Sequence, residues 1–431
     1  MAKVDRISLL PEEIKISILS RLEVKDALRT STLARSWRHI WTLLPSLRLG
    51  CYLDPLGDTS KDFNTRPVSS SWIRRVSRLI SSLQGPFLLF ELSLILDIIP
   101  SNLLQSILDL LFQKDGVQTL HLHCFYPNRL LPKVIVRLPL FHSLKVLGLS
   151  GCQLVLPDEF RGFHCLTTLS LSDVKIPNHR LQLLLDTSKN LTSFMFSAQD
   201  LDLTPDLSVN ISLPLLTRVQ FGINEMVDNI CLVSTPHLEE AHIFVNNPVS
   251  ENLARVILRL LTDVSMVSSL HLDCDNLKAL SLLGLPFSFS FPQLKCFKFF
   301  LNVDNMDNRT CDVIYWLLKS MPFLEELNIE TEGVASLMRE LLLTRQNGVP
   351  WLDQTLKSVI INICLSLNVM TGITMVKFFL QNAKVLKLMK ILYQDDERLS
   401  IIEELQKEEV ASSDAKVVMF NIKTEVTVNV K

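Results

Sequence analysis

A short phrase that alternates apolar and polar residues recurs along the chain. Three clear copies read LKVLGLSGCQL from Leu144, LTTLSLSDVKI from Leu166 and LEELNIETEG from Leu324. Other clear copies begin at Leu191, Leu216, Leu238, Val267, Leu294 and Leu356, and weaker copies begin at Leu89, Val117 and Leu386. Every second residue of the phrase is apolar, which is the period of a strand that buries one face. The pattern therefore predicts one short strand in each copy.

The copies follow one another at a repeating interval. Consecutive clear copies start roughly 22 to 32 residues apart, which is the range of leucine-rich repeats. Such repeats place Asn or Cys three residues after the last strand leucine, where the chain turns inward and the side chain satisfies buried backbone groups. The residues at that position are Cys152, Asn224, Asn246, Asn302 and Cys364. The sequence therefore predicts an α/β fold, an irregular leucine-rich-repeat solenoid (horseshoe) with parallel strands on its concave face and mostly helices or loops on its convex side.

The segment before the repeats has a helical pattern. Pro11 followed by two glutamates favours a helix start, because proline suits the first turn and acidic side chains complement the helix dipole. Apolar residues from Ile14 to Leu22 recur at helical spacing, and the pattern predicts two further helices before Pro45. Three short helices bury too little surface for an independent core. Either the repeats or a second protein must cover the excess apolar surface.

Composition narrows the range of partners. The 431 residues include 43 basic and 45 acidic side chains, so there is no overall basic surface for nucleic acid. The longest apolar run, from Phe87 to Ile99, is interrupted by Glu91 and Asp97 and is shorter than the about 20 residues of a membrane span. Nine cysteines are scattered without a C-x-x-C pair, and the N-terminus lacks a secretory pattern. We expect a cytoplasmic or nuclear protein with no nucleic-acid partner, no membrane partner and no cofactor.

The N-terminal helical segment resembles the F-box of plant F-box proteins. The stretch DRISLLPEEIKISILSRLEVKDALRTSTLARSWRHIWTLLPSL matches that motif in order, from Leu-Pro-Glu-Glu through Val-Lys-Asp-Ala to Trp-Arg-x-x-Trp. Two positions depart from the motif: Lys15 stands where an apolar residue is common, and Arg21 stands where an aromatic residue often occurs.

The C-terminal part is similar to the FBD module that follows an F-box and leucine-rich repeats in plants. The similarity lies in LKSVIINICLSLNVMTGITMVKFFLQNAKVLKLMKILY, Leu356 to Tyr393, and in the later ASSDAKVVMF. A polar stretch rich in Pro, Gly and Ser, from Asp54 to Ser71, is the best domain junction. The predicted domains are an F-box (1–50), a linker and connecting helix (51–84), leucine-rich repeats (85–350) and an FBD-like module (351–431).

The resemblance implies a function as the substrate-recognition subunit of an SCF-type ubiquitin ligase. The F-box would dock on a Skp-type adaptor, and through it on a cullin-RING ligase, while the repeats hold a protein substrate. The implied adaptor contacts are Leu10, Pro11, Ile14, Ile18, Leu22, Val24, Leu28 and Trp37. The same apolar residues also suit a three-helix core, and for Leu33, Ile40 and Trp41 the two interpretations stay open. The alternative function is a leucine-rich-repeat interaction scaffold outside any ligase, with the F-box-like segment as a cap.

Candidate substrate contacts are the outward residues of the strands. Their mixture of aromatic, basic and polar side chains suits protein recognition, although solvated strand residues without function look similar. The candidates are His121, His123, Arg218, His242, Phe244, His271, Lys298 and Phe300.

Metal binding and catalysis have weaker signals. His121 and His123 lie on one side of a strand at metal-ligand spacing, but no third ligand has convincing spacing, and we predict no metal site. A Cys124/His121 nucleophile pair is a remote alternative. No nucleotide-binding, metalloprotease or serine-hydrolase motif occurs, so we predict a protein that is not an enzyme.

Overall fold

The computed structural model describes residues 6–50, 70–95, 101–114, 116–125, 133–197, 207–225, 227–245, 249–287, 289–302, 307–332, 351–365, 369–393, 405, 411–421 and 427–429. The chain divides into two compact units. The first comprises Met1–Pro205 with Ile211–Leu216, and the second comprises Asp206–Asn210 with Thr217–Lys431. The division falls within the repeats, and most of the predicted junction between Asp54 and Ser71 lies outside the described residues.

The first unit contains the F-box segment and the first repeats. Its helices are α1 Glu12–Leu19, α2 Val24–Arg29, α3 Ser70–Ser82, α4 Ser101–Gln113 and α5 Asn178–Thr187. Its strands are β1 Ser46–Gly50, β2 Leu89–Ile95, β3 Thr119–Phe125, β4 Val134–Arg137, β5 Val146–Ser150, β6 Cys152–Val155, β7 Thr168–Ser172 and β8 Ser193–Ser197. Strands β1, β2, β3, β5, β7 and β8 pair in that order, all in parallel, and β4 pairs with β6 on its own.

The second unit contains the remaining repeats and the C-terminal segment. Its strands are β10 Arg218–Ile223, β11 Val227–Ser234, β12 Glu240–Val245, β13 Ser269–Leu272, β14 Cys296–Asn302, β15 Glu326–Glu332, β16 Ser358–Leu365, β17 Leu388–Tyr393, β18 Lys416–Asn421 and β19 Thr427–Asn429, while β9 Leu207–Ser212 has residues in both units. Its helices are α6 Glu251–Asp263, α7 Cys274–Ser281, α8 Asn308–Lys319, α9 Trp351–Gln354 and α10 Val369–Asn382. Strands β10 and β12 to β18 pair in parallel, and β19 joins β18 in antiparallel.

The predicted strands are confirmed in every copy of the repeated phrase, including the weaker copies at Leu89, Val117 and Leu386. Strand β7 shows how the phrase works: Leu169 and Leu171 are fully buried, and Ser170 between them is partly exposed. Neighbouring strands repeat this alternation in register, so their inward leucines and phenylalanines form one continuous buried layer.

Two of the predicted turn residues are fully buried. Cys152 and Asn224 have no exposed surface, and the carbonyl of Asn224 accepts a hydrogen bond from the backbone nitrogen of Val227. Asn246 lies outside the described residues, and so do the side chains of Asn302 and Cys364. Both positions are buried, as an inward turn requires, and the role of their side chains in satisfying backbone groups stays a prediction.

The F-box segment forms fewer α-helices than its spacing predicts. Helix α1 ends at Leu19 instead of continuing to Leu22, and after α2 the chain forms three 3₁₀ turns, Thr30–Thr32, Arg35–Trp37 and Ile40–Leu43. The hydroxyls of the Thr-Ser-Thr run donate to the carbonyls three residues earlier, which favours short turns over a continuing helix. The expectation of a third α-helix was therefore wrong.

The C-terminal segment continues the parallel order of the repeats. Strand β15 pairs in parallel with β16, and β16 pairs in parallel with β17, so the strands on either side of the predicted boundary at residue 350 belong to one sheet. Trp351 anchors this segment, because its side chain is fully buried and its Nε1 donates to the carbonyl of Leu318 at 2.6 Å. Among the described residues, no helix has the length and apolar character to cross a membrane.

Candidate functional site

The F-box segment has a small core that determines which residues face outward. Leu19, Ala27, Trp37, Ile40 and Leu44 form this core. Helix α1 turns Leu19 toward it, so residues on the opposite side of α1 face solvent. Because the helix is short and contributes few residues to the core, two of its four apolar side chains, Ile14 and Ile18, stay exposed.

The exposed F-box apolar residues are the most prominent feature of this segment. Six large apolar side chains are between 38% and 75% exposed: Ile7, Leu9, Ile14, Ile18, Leu22 and Leu33. A soluble chain rarely gathers so many in one short segment unless a partner covers them. The excess apolar surface inferred from the sequence is therefore present and faces outward.

The predicted adaptor contacts have different surroundings. Pro11, Ile14, Ile18 and Leu22 are exposed, and Leu10, Val24 and Leu28 are half-buried. Trp37 is only 5% exposed and belongs to the core, so it supports the surface from below. The contact role of all eight stays a prediction.

Three exposed apolar residues were absent from the predicted contacts. Ile7 and Leu9 precede α1, and Leu33 lies between two 3₁₀ turns. Helical spacing does not apply at these positions, so it could not mark the three residues as outward. Of the three residues left open between core and surface, Ile40 is buried in the core, Trp41 is half-buried against it, and Leu33 is the most exposed at 75%.

Lys15 is the clearest surprise in the F-box segment. Its side chain is only 6% exposed, and its ammonium nitrogen lies 5.7 Å from the centroid of the Trp37 ring. The aliphatic part of lysine covers the tryptophan, and the ammonium group interacts with the ring face. Lys15 thus takes the inward position at which an apolar residue is common in the motif.

The outward face of the first unit is dominated by small residues beside two histidines. The His121 and His123 rings stack with centroids 6.0 Å apart, and both side chains are partly exposed. Across the sheet, His121 is in register with Gly148, where an added Cβ would collide with the imidazole. Burial and the neighbouring His123 lower the pKa of His121.

The outward face of the second unit has larger side chains. His242 and His271 are in register and stack with ring centroids 3.9 Å apart. The ring centroid of Phe244 lies 5.3 Å from that of His242. Burial lowers the pKa of His271 to about 4, with smaller contributions from His242 and Lys298, and burial also lowers the pKa of His242. These imidazoles are therefore neutral near pH 7 and offer flat, uncharged surfaces.

The remaining candidate substrate contacts also lie on this face. Lys298 is in register with His271, and both Lys298 and Phe300 are partly exposed. Arg218 is exposed but donates from its Nε to Glu240 Oε2 at 2.6 Å, so its charge is locally balanced. The structure brings His242, Phe244, His271 and Lys298 together on adjacent strands, whereas His121 and His123 belong to the first unit.

The structure does not support Cys124 as a nucleophile. Cys124 is 4% exposed, and burial raises the pKa of its thiol to about 12, so it is protonated near pH 7. A thiolate is the form that attacks a substrate. In the described part of the chain, no group of three or more His, Cys, Asp or Glu side chains has metal-binding geometry.

Comparisons with known proteins match both the F-box segment and the repeats. The F-box domain model matches residues 7–49, and a family model described as "FBD-associated F-box protein At5g56370, LRR repeats" matches residues 104–329. The second match alone covers more than half of the chain.

Curated relatives come from Arabidopsis thaliana. The chain is 27% identical over 351 residues to the F-box/FBD/LRR-repeat protein At1g51370, which covers 76% of this chain and 74% of the relative. It is 29% identical over 316 residues to the F-box/LRR-repeat protein At4g14096, covering 64% of each chain. A shorter stretch of 85 residues, 20% of this chain and 24% of the relative, is 39% identical to the F-box/LRR-repeat protein At3g26922. Together with the repeated strands and the exposed F-box surface, these matches show that the chain belongs to the family of FBD-associated F-box proteins with leucine-rich repeats.

Proposed function

We propose that the protein is the substrate-recognition subunit of an SCF-type ubiquitin ligase. In this proposal the F-box docks on a Skp-type adaptor, which connects it to a cullin-RING ligase, and the repeats hold a protein substrate. The protein performs no reaction of its own. It raises the local concentration of substrate beside the ubiquitin-loaded enzyme, in the cytosol or the nucleus.

The observation that carries this proposal is the set of exposed F-box apolar residues. Proteins that combine an F-box with leucine-rich repeats are generally SCF substrate adaptors. An interface with a stable partner needs a centre of large apolar side chains, and Ile14, Ile18 and Leu22 supply one on a short helix and the turn that follows it. Strand β7, by contrast, directs Leu169 and Leu171 inward and presents only Thr and Ser on its outward face.

A scaffold that works outside a ligase is the second candidate, and one observation favours it. Strand β1 follows the F-box segment directly and pairs with β2 along its whole length, from Ser46 opposite Leu89 to Gly50 opposite Ser93. The F-box segment is therefore built onto the first repeat, as a cap would be. A segment that acted only as a cap would leave the exposed F-box apolar residues without a partner to cover them. We therefore rank this function second.

Capture of a purified Skp-type adaptor by the full chain separates the two functions. We expect the wild-type chain to retain the adaptor and Ile14→Asp to lose it at least tenfold, because a charge in the centre of an apolar interface is left without a partner. Pro11→Ala combined with Ile14→Asp should lose at least as much capture, because Pro11 is also a predicted contact.

A matched control replaces an exposed apolar residue elsewhere. Phe323 lies in a turn of the second unit and is 58% exposed, so Phe323→Asp makes the same chemical change away from the F-box and should leave capture unchanged. Failure of the wild-type chain to capture the adaptor, or equal losses in both variants, would contradict the ligase function.

A further inference from the structure

We propose that the outward face of strands β16, β17 and β18 is a docking surface for an acidic peptide segment with apolar anchor residues. We call this surface the basic-apolar face. The proposal rests on the proposed function, since such a segment would belong to the protein substrate held by the repeats. It adds the chemical class of the substrate and the part of the repeats that selects it.

The register of the three strands aligns the residues of this face. Ile360 of β16 is opposite Lys390 of β17, and Lys390 is opposite Val418 of β18. In the next outward row, Leu392 is opposite Phe420, and in the row before, Leu388 is opposite Lys416. Lys416 is exposed and the other side chains are partly exposed, while the residues between them are buried. Apolar side chains thus surround a lysine on a regular surface.

The charges of this face have one sign. Lys390 and Lys416 point outward, Lys387 is exposed at the beginning of β17, and no Asp or Glu occupies an outward position of β16, β17 or β18 among the described residues. Two nearby lysines already form ion pairs. Lys357 Nζ lies 2.9 Å from Glu325 Oε2, and Lys384 Nζ lies 3.4 Å from Asp353 Oδ2. In the described part of the chain, Lys387, Lys390 and Lys416 form no such ion pair. A ligand with carboxylates would complement them.

The earlier strands of the second unit differ in this respect. Their outward positions include Glu240 on β12 and both Glu326 and Glu330 on β15. Arg218 is paired with Glu240, so the positive charge there is compensated within the sheet. An acidic ligand would meet the carboxylates of β15 but none among the described outward residues of the basic-apolar face, and like charges facing each other are unfavourable.

Lys390 is placed to orient a carboxylate. Its ammonium nitrogen lies 4.9 Å from the centroid of the Phe420 ring, on the neighbouring strand. The ring holds the ammonium group over an apolar surface, where water screens its charge less than at a fully exposed position. A ligand carboxylate at Lys390 would place adjacent apolar side chains against Leu392 and Phe420.

A peptide fits this surface better than a nucleic acid does. Binding of a phosphate backbone requires several cations along the contact, and the described residues of this face include two outward lysines, no arginine and mostly apolar residues. The whole chain carries a formal charge of −2, so there is no wider basic field to assist. Half-buried aliphatic and aromatic side chains beside isolated charges are typical of protein recognition.

The test is selection from a displayed library of random peptides on the purified full chain. We expect selected sequences to be enriched in Asp or Glu within two or three residues of Leu, Ile or Phe. The affinity of a selected peptide, measured by fluorescence anisotropy, should fall about tenfold in Lys390→Glu combined with Lys416→Glu, which corresponds to about 1.4 kcal/mol. Leu392→Asn should also weaken binding, because it removes an apolar contact without changing charge.

A matched control carries the same change of charge elsewhere. Lys145 and Lys319 are exposed and lie outside the face, so Lys145→Glu combined with Lys319→Glu should leave peptide affinity unchanged. Lys416 is exposed, so Lys416→Glu alone tests the face even if the double variant does not fold, with a loss of about threefold expected.

The outcomes separate this inference from the proposed function. The inference is overturned if no peptide is selected, if selected peptides lack acidic residues, if the control variant weakens binding equally, or if a single-stranded DNA oligonucleotide binds the face more tightly than any selected peptide. Capture of the Skp-type adaptor should be unchanged in Lys390→Glu combined with Lys416→Glu. Loss of adaptor capture by the wild-type chain contradicts the ligase function and leaves the peptide result to be judged separately.

Discussion

Ile18 of the F-box and Leu171 of the repeats both lie in apolar stretches, yet Ile18 is 38% exposed and Leu171 is fully buried. The difference comes from what surrounds each residue. Leu171 belongs to β7, which has a paired strand on both sides and the buried layer beneath it. Ile18 belongs to a helix of eight residues, which has a core on only one side.

The comparison shows that an apolar residue is a weaker guide to burial in a short helical segment than in a repeated strand. In the repeats, every copy of the phrase is covered by its neighbours, so period and burial agree. In the F-box, the core can cover only part of the surface, and Lys15 takes a buried position while Ile14 beside it is exposed. Three experiments test this contrast.

The largest effect should come from equal substitutions of a buried and an exposed leucine. Leu171→Ala should lower the free energy of unfolding by about 2 to 5 kcal/mol, because it removes buried contacts and leaves a cavity. Leu33→Ala should change it by less than about 0.5 kcal/mol, because Leu33 is 75% exposed. Urea unfolding followed by far-ultraviolet circular dichroism measures both. Similar losses in the two variants would refute the contrast.

An intermediate effect is expected at Lys15. Lys15→Ala should lower the free energy of unfolding by about 1 to 2 kcal/mol, because it uncovers Trp37 and removes the interaction of the ammonium group with the ring. Arg21, the other departure from the F-box motif, is exposed, so Arg21→Ala should cost less than about 0.5 kcal/mol. Tryptophan fluorescence during urea unfolding reports the difference, and equal costs would show that Lys15 is not part of the core.

The smallest effect should appear in the pH dependence of the outward histidines. Because burial lowers the pKa of His271 to about 4, the folded state resists its protonation, and the stability that it contributes is present above pH 6.5 and lost as the pH falls toward 4. His271→Gln removes this dependence, so the stability of the variant relative to wild type should improve as the pH falls through that window. Unfolding free energies at pH values above and below the window measure this change.

A neighbouring group, Asp273, changes stability with pH in the opposite direction but does not obscure the comparison. Burial raises the pKa of Asp273 to about 6, so its contribution to stability increases as the pH falls from 6 toward its ordinary pKa. This contribution is present in both proteins and cancels in the comparison. A difference between variant and wild type that does not change with pH would show that His271 is not the group responsible.

Much of the repeat architecture could be predicted from the chain alone. Strand positions, buried leucines and the buried turn residues Cys152 and Asn224 follow from a phrase whose copies must cover one another. The F-box motif and its predicted contacts follow from an ordered resemblance. Ile14, Ile18 and Leu22 are exposed, as a contact surface requires, and their contact role stays a prediction. Helical spacing by itself could not separate them from the core.

Other features of the candidate surfaces depend on contacts between distant residues. The stacking of His242 on His271 needs the register of two strands, and the single sign of charge on the basic-apolar face needs three strands in order. The position of Lys15 over Trp37 needs the F-box core to be assembled. None of these follows from the spacing along a single element.

The sequence by itself determined the period of the repeats and the alternation within each strand, because side chains on a strand point to opposite faces whatever their neighbours are. Only the tertiary structure decided which apolar residues of the F-box stay exposed and which outward side chains of the sheet meet. The physical reason is that these outcomes depend on which surfaces are covered, and coverage is set by residues far apart in the chain.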